Sequence, residues 1–197
     1  MTELLHDGDL WISKGKRRTE TNWKNTQTTW GKLVEHLRKT QVTRETHKEY
    51  MSYTKVDQDN IKDIGGFVGG IINGGRRKKY NVGMRQLITL DLDTATRDFW
   101  DDLCLLFGEA ACVYSTHKHS PRTPRYRLLM PLDREVHADE YEAITRKMAE
   151  IIGMDLFDHT TFQPERLMYW PSTPRDMEYF YQVQDGPWLN ADVILGM

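Results

Sequence analysis

"RQLITLDLDTATRDFW", Arg85 to Trp100, sets two aspartates two residues apart at the end of an apolar run. Alternate residues of a strand share a face, so Leu87, Thr89, Asp91 and Asp93 look one way. Ile88, Leu90 and Leu92 look the other way, toward a core. Two carboxylates with roughly 6–7 Å between their Cα atoms repel each other unless a positive charge lies between them. A divalent cation is one answer, since Mg²⁺ and Mn²⁺ are hard ions that take oxygen ligands. A solvent-facing strand end running into a helix start, where aspartates are also welcome, is the other.

Working outward, "ATRDFWDDLCLLFGEA" reads as an amphipathic helix ending near Gly108, and "ACVYST" (Ala111–Thr116) as a second strand. "HKHSPRTP" is a loop and "RYRLLMPL" a third strand. "HADEYEAITRKMAEIIG" is a second helix, with Tyr141, Ile144, Met148, Ile151 and Ile152 inward and Gly153 as its stop. "RLMYWPS" and "EYFYQV" are late strands. The order strand, helix, strand, strand, helix, strand is the split β-α-β pattern of ferredoxin-like and RNA-recognition-motif-like sheets. The expected fold is therefore α+β: an antiparallel or mixed sheet over residues 85–197 with helices on one face. Residues 1–84 form an N-terminal α/β accessory layer fused to it.

In that layer "DLWIS" is a short strand and "SKGKRRTETNWKNTQTTW" (Ser13–Trp30) is polar and basic. "TTWGKLVEHLRKT" is a helix capped by Thr28 or Thr29, with Trp30, Leu33, Val34 and Leu37 on one face. Residues 41–63 fit either helix or surface loop. "FVGGII" reads as one strand, and "NGG" then "RRKKY" as a turn into a basic edge. No GxxxxGK[ST] loop and no GxGxxG before a helix is present.

The 197 residues suffice for a proper core, with 28% charged and 39% hydrophobic side chains. A net charge of -2 excludes a uniformly basic nucleic-acid coat but not a local patch, because 27 lysines and arginines can cluster. Two cysteines, Cys104 and Cys112, make no zinc spacing and fit a reduced cytoplasmic setting. No long apolar stretch suggests a membrane span.

Two further clusters carry chemistry. "YSTHKHSPRTPRYR" (Tyr114–Arg127) gathers Ser115, His117, Lys118, His119, Arg122, Arg125 and Arg127, a combination suited to a triphosphate. "DLFDHTTFQPERLMYWPS" (Asp155–Ser172) adds Asp155 and Asp158, which are ordinary turn residues unless this segment neighbours the first strand. Arg76, Arg77, Lys78 and Lys79 could meet a nucleic-acid backbone, although a solvated charge run is the commoner explanation.

Taken in order, "LDLD", "STH" and an aspartate before "RLMYWPS" resemble the archaeo-eukaryotic primase, or primase-polymerase, superfamily. More closely the chain looks like the N-terminal domain of phage and plasmid replication proteins that continue into a virulence-associated-E-type helicase. "WKNTQTTW" and "DIGGFVGG" extend that resemblance over nearly the whole chain. The resemblance implies that Asp91 and Asp93 are metal ligands with Asp158 as the third acid, Asp155 being its competitor. It implies two Mg²⁺ or Mn²⁺ ions per site. Ser115 and His117 match the second motif, whose histidine meets the incoming nucleotide's phosphates, with His119 as the competing ring. Lys118, Arg125, Arg127 and Arg166 would complete the nucleotide site.

In function, the resemblance implies a cytoplasmic nucleotidyltransferase of phage or plasmid replication. Such an enzyme joins dNTPs or NTPs on a single-stranded DNA template, which would cross the basic edge at Arg76–Lys79. A replicative helicase would be fused downstream or act separately, and no membrane is involved. Two rivals stay open. One is a non-catalytic single-strand or origin-binding module. The other is a rolling-circle nuclease with a His-x-His metal pair and a tyrosine nucleophile, for which Tyr141 is the only tyrosine on the following helix.

Overall fold

Two antiparallel strands, β1 (Asp9–Gly15) and β2 (Lys24–Thr29), lead the fold in the computed structural model, which describes residues 4–197. Helix α1 (Trp30–Leu37) follows at once because the Thr29 hydroxyl accepts from the Lys32 amide at 3.2 Å. Its buried face is Trp30, Leu33, Val34 and Leu37, as the apolar spacing requires. A two-residue strand, β3 (Gln41–Val42), precedes α2 (His47–Ser52) and α3 (Lys55–Lys62). The polar stretch 41–63 is thus largely helical. Both helices start at threonines, Thr46 with Glu49 in a reciprocal capping box and Thr54 with Asp57.

"FVGGII" is two strands, not one. β4 (Gly66–Val68) joins β1, whereas β5 (Gly70–Ile72) joins β6 (Val82–Leu92) in another sheet. Glycine is a steric necessity at this crossing. A Cβ at Gly66 would run into the Met168 carbonyl, and one at Gly70 into the Met84 carbonyl.

The second half follows the expected order: α4 (Phe99–Leu106), β7 (Ala111–Ser115), β8 (Tyr126–Val136) and α5 (Ala138–Ile152). Then come β9 (Met168–Tyr169), β10 (Ser172–Thr173), β11 (Tyr181–Gln184) and α6 (Ala191–Gly196). The main sheet is antiparallel in the order β11-β7-β8-β6-β5, so β8 lies between the two strands that flank α4. The strand after α5 does not close this sheet. β9 pairs with β4 in the sheet β2-β1-β4-β9, and β10 pairs in parallel with β3.

Each face of the main sheet has its own core. Ile88, Leu90 and Leu92 pack with Phe99 and Leu103 of α4, Tyr141, Ile144 and Met148 of α5, and Ile194 of α6. Leu87, Cys112, Tyr114 and Leu129 face the N-terminal layer through Leu10, Ile12, Trp30, Leu33 and Phe67. Each fully buried Leu, Ile, Phe or Met among them contributes about 1.5–3 kcal/mol of transfer free energy. Ile151 departs from the expected inward set. It is 40% exposed, whereas its neighbour Ile152, with Met148 and Ala149 of the same last turn, packs against the core.

Arg85 is fully buried at the layer junction, where no carboxylate among the described residues pairs with it. Its guanidinium donates to the carbonyls of Gly69, Pro164 and Leu87, to the Thr89 hydroxyl and to the Tyr141 hydroxyl. Burial lowers its pKa, and Tyr141 beside it partly offsets that. Carbonyl and hydroxyl oxygens solvate the charge and tie the β4-β5 link, β6, the 157–166 segment and α5 together.

Candidate nucleotide and carboxylate site

Asp91 is the penultimate residue of β6, and in register it stands directly opposite Arg127 of β8. Arg127 Nε donates to Asp91 Oδ1 at 2.8 Å, with both side chains about nine-tenths buried. Burial works to lower the Arg127 pKa, but Asp91 and the Tyr114 oxygen hold it above its ordinary value. The Tyr114 and Tyr169 rings flank the guanidinium, each 5.6 Å away.

The 156–161 segment folds onto the end of β6. The amides of Asp93 and Asp158 donate to the carbonyls of Leu156 and Asp91, and the Asp91 amide donates to the Thr161 hydroxyl oxygen at 2.7 Å. Asp158 is thereby brought beside Asp91. Its Oδ1 accepts from the Thr160 amide and hydroxyl, and its Oδ2 from Arg166 Nη2 at 2.8 Å. Burial alone would raise the Asp158 pKa, but these hydrogen bonds and the Arg166 charge lower it. Asp93 lies just past the strand, exposed, and holds Arg125 at 2.7 Å. Asp155 is exposed and does not line the cavity; its carbonyl accepts from Thr94.

These residues face one open cavity of about 680 Å³. Asp91, Asp93, Asp158, His117, Lys118, Arg125, Arg127 and Arg166 all line it. The N-terminal layer supplies the opposite wall with Arg18, Lys55, Asp59, Lys62 and Arg77. Lys55, Asp59 and Lys62 lie on one face of α3 at spacings of four and three, and both lysines pair with Asp59. Burial pushes the Asp59 pKa up, yet those two lysines bring it down to about 2. The Lys62 and Lys118 pKa values are lowered, chiefly by burial. Of this wall, sequence reasoning named only Arg77, as part of the basic run; for the three α3 residues the one available signal was the helical spacing within "KVDQDNIK".

His117 is buried with both ring nitrogens engaged. Nε2 lies 2.9 Å from Glu45 Oε1 and Nδ1 2.8 Å from Ser172 Oγ. Burial lowers its pKa, Glu45 opposing that in part, so the ring is neutral at pH 7. No spacing in the sequence links Glu45 to His117. The β3-β10 pairing makes the link by bringing residues 41–45 alongside 171–175. His119 and Ser115 do not line the cavity: His119 Nδ1 accepts from the Arg125 amide, and the Ser115 hydroxyl oxygen accepts from the Phe180 amide.

The basic run 76–79 is divided. Arg77 turns inward to the Glu165 carbonyl and the Trp23 ring, and Lys79 pairs with Glu142. Arg76 and Lys78 stay exposed.

Carboxylate oxygens on one cavity wall are the donor chemistry a hard divalent ion takes. Among the described residues no three histidine, cysteine or acidic side chains stand close enough together to hold an ion. Guanidinium groups occupy the carboxylates instead. No helix among the described residues is long and apolar enough to cross a membrane.

No curated protein matches the chain. It is similar to the AEP domain of a solved structure, the cyanophage S-2L primase-polymerase, at 14% identity and a TM-score of 0.49 over 95% of this chain and 87% of that one. The VapE N-terminal domain model matches residues 1–197, so the chain belongs to the VapE N-terminal domain family.

Proposed function

We propose that this chain is a template-directed nucleotidyltransferase, a primase-polymerase of phage or plasmid replication that joins dNTPs or NTPs on single-stranded DNA. The observation that carries this reading is the cavity itself. Acids from two distant segments, Asp91 and Asp93 at the end of β6 and Asp158 after α5, meet there with Lys118, Arg125, Arg127 and Arg166. Eight lysines and arginines against four aspartates leave the wall cationic, as a triphosphate needs. Residues 1–84 and 85–197 act in this reading as one unit, supported by β-pairing across that boundary at β5-β6, β4-β9 and β3-β10.

Asp91, Asp93 and Asp158 are the residues that would hold Mg²⁺ or Mn²⁺. Bound there, such ions would activate the attacking hydroxyl and neutralise the departing pyrophosphate. For the acids to ligate, Arg166 must leave Asp91 and Asp158, and Arg125 must leave Asp93. The released guanidiniums then face the triphosphate, where they accept the charge that builds on its oxygens. Arg127 is too buried to leave and keeps Asp91 oriented. Glu45 and Ser172 fix the His117 ring at the cavity edge, next to Lys118.

The arginine-filled carboxylates favour one other reading, a single-strand-binding module without catalysis. Primer extension and unprimed synthesis on single-stranded DNA, with Mn²⁺ or Mg²⁺, separate the two. Metal-dependent product that vanishes in Asp91→Asn/Asp93→Asn is expected. Strand binding that survives EDTA, with no synthesis by the natural sequence, would establish the module instead.

A further inference from the structure

The basic stretch Ser13–Trp30 gives only Arg18 and Thr19 to the catalytic cavity. It forms the β1-β2 hairpin, whose far end borders a second cavity of about 610 Å³. Lys14, Lys16 and Lys24 line this cavity with Ile64 and the half-buried Trp170. Two features distinguish it from an ordinary solvated surface. First, Lys14 and Lys24 stand directly opposite each other in the antiparallel register, a placement that costs stability. No carboxylate relieves it: none of the three lysines enters an ion pair among the described residues. The one acid on the lining, Glu20, is spent on the amides of Thr21 and Asn22.

Second, the two cavities are lined by neighbouring residues of the chain. The hairpin connection gives Lys16 to the second cavity and Arg18 and Thr19 to the catalytic one. Across from it, Tyr169 faces the catalytic cavity and its neighbour Trp170 the second, since successive residues of an extended segment point to opposite sides. Trp170 is stacked on Phe67 at 4.8 Å and makes a T-shaped contact with the His36 ring at 4.6 Å, which together hold the half-exposed indole rigid.

We propose that the second cavity is a holding site for single-stranded DNA. A strand running out of the catalytic cavity crosses the β1-β2 connection, lays its phosphates on Lys14, Lys16 and Lys24, and stacks a base against Trp170. The partner is single-stranded because only an unpaired base offers a free face to an indole, and the lysine ladder supplies the counter-charge a phosphate backbone requires. This deepens the polymerase reading by giving the template a path, and it rests on that reading for the direction of the strand.

The test is fluorescence anisotropy of a labelled 18-nucleotide single strand with the full chain in EDTA, titrated over a range of salt. Lys14→Glu/Lys16→Glu/Lys24→Glu changes exposed side chains only, and circular dichroism checks its fold. The expected result is a Kd raised by about tenfold or more, with the log–log salt slope shallower by about two, since three phosphates would no longer meet a lysine. Photocrosslinking of an iodouracil strand to Trp170, mapped by mass spectrometry, is expected in the natural sequence. An unchanged Kd and slope would overturn the proposal, as would an equal loss of duplex binding, which would reduce the lysines to general charge attraction. Because binding is read without metal or nucleotide, failure of synthesis alone refutes the polymerase reading and leaves this result legible.

Discussion

Arg166 joins Asp91 to Asp158, its Nε donating to one carboxylate at 3.3 Å and its Nη2 to the other at 2.8 Å. The two acids are 67 residues apart in sequence and share one guanidinium. Arg127 secures the other oxygen of Asp91, so the three acids of the β6 end and the 156–161 segment differ in what they do for the fold.

That difference predicts opposite outcomes for two substitutions. Asp91→Ala strips the partner from a buried arginine and should cost about 3–5 kcal/mol of stability. Asp93→Ala breaks a pair whose side chains are 48% and 32% exposed, worth at most about 1 kcal/mol. Its loss of synthesis should nevertheless be about 100-fold or more, if Asp93 bears on the phosphoryl transfer. Urea unfolding beside primer extension reads both. An Asp93→Ala protein that extends primers at the unaltered rate would sink the role given to Asp93.

Arg85→Met should be among the most damaging single changes outside the cavity. Five acceptors lose their donor, and several are buried carbonyls. A loss of about 3–5 kcal/mol is expected by denaturant unfolding. Tyr141→Phe removes one partner of that arginine and should cost about 1–3 kcal/mol while leaving synthesis intact. Tyr141 is fully buried with its hydroxyl bonded to Thr89 and Arg85, so a covalent DNA adduct on it is not expected.

Asp59 should shape the acid limb of stability. Its folded pKa, about 2, lies below the ordinary value of 3.8, so the unfolded chain binds the proton more readily. Stability from this group is complete above about pH 4 and disappears as pH falls through about 2. Asp59→Asn should therefore lower the melting temperature at neutral pH, and the gap from the natural sequence should close between about pH 4 and 2. A gap that stays constant over that window would contradict the assignment.

His117 works in the same direction at higher pH. Burial lowers its folded pKa below the 6.5 of the unfolded chain, so protonation favours unfolding as pH drops under about 6.5. His117→Asn should flatten the fall in stability between about pH 6.5 and 5. His36 and His119 are lowered too, so part of the slope should remain. An unaltered slope in the variant would mean that His117 is not the group responsible.

Strong local signals in the chain were enough to specify several pieces of this fold. The alternation of Ile88, Leu90 and Leu92 against Asp91 defines the strand and its core face, and the spacing of Tyr141, Ile144 and Met148 defines α5. The threonine cap of α1 and Gly153 set helix ends within a residue or two, and three short motifs in order point to the family. Features without a local signature were settled only when distant segments met. The stretch "RLMYWPS" reads as one strand, but nothing local shows that it divides into β9 and β10 or that these pair with β4 and β3, which places Glu45 on His117 and Trp170 behind Tyr169. The break at Gly69 was invisible because only the approach of β6, through Leu87 and Arg85, crowds out a side chain there. Which cation meets which acid was undetermined for the same reason: Arg127 faces Asp91 by strand register, and Arg166 reaches it only because the chain after α5 folds back over the end of β6.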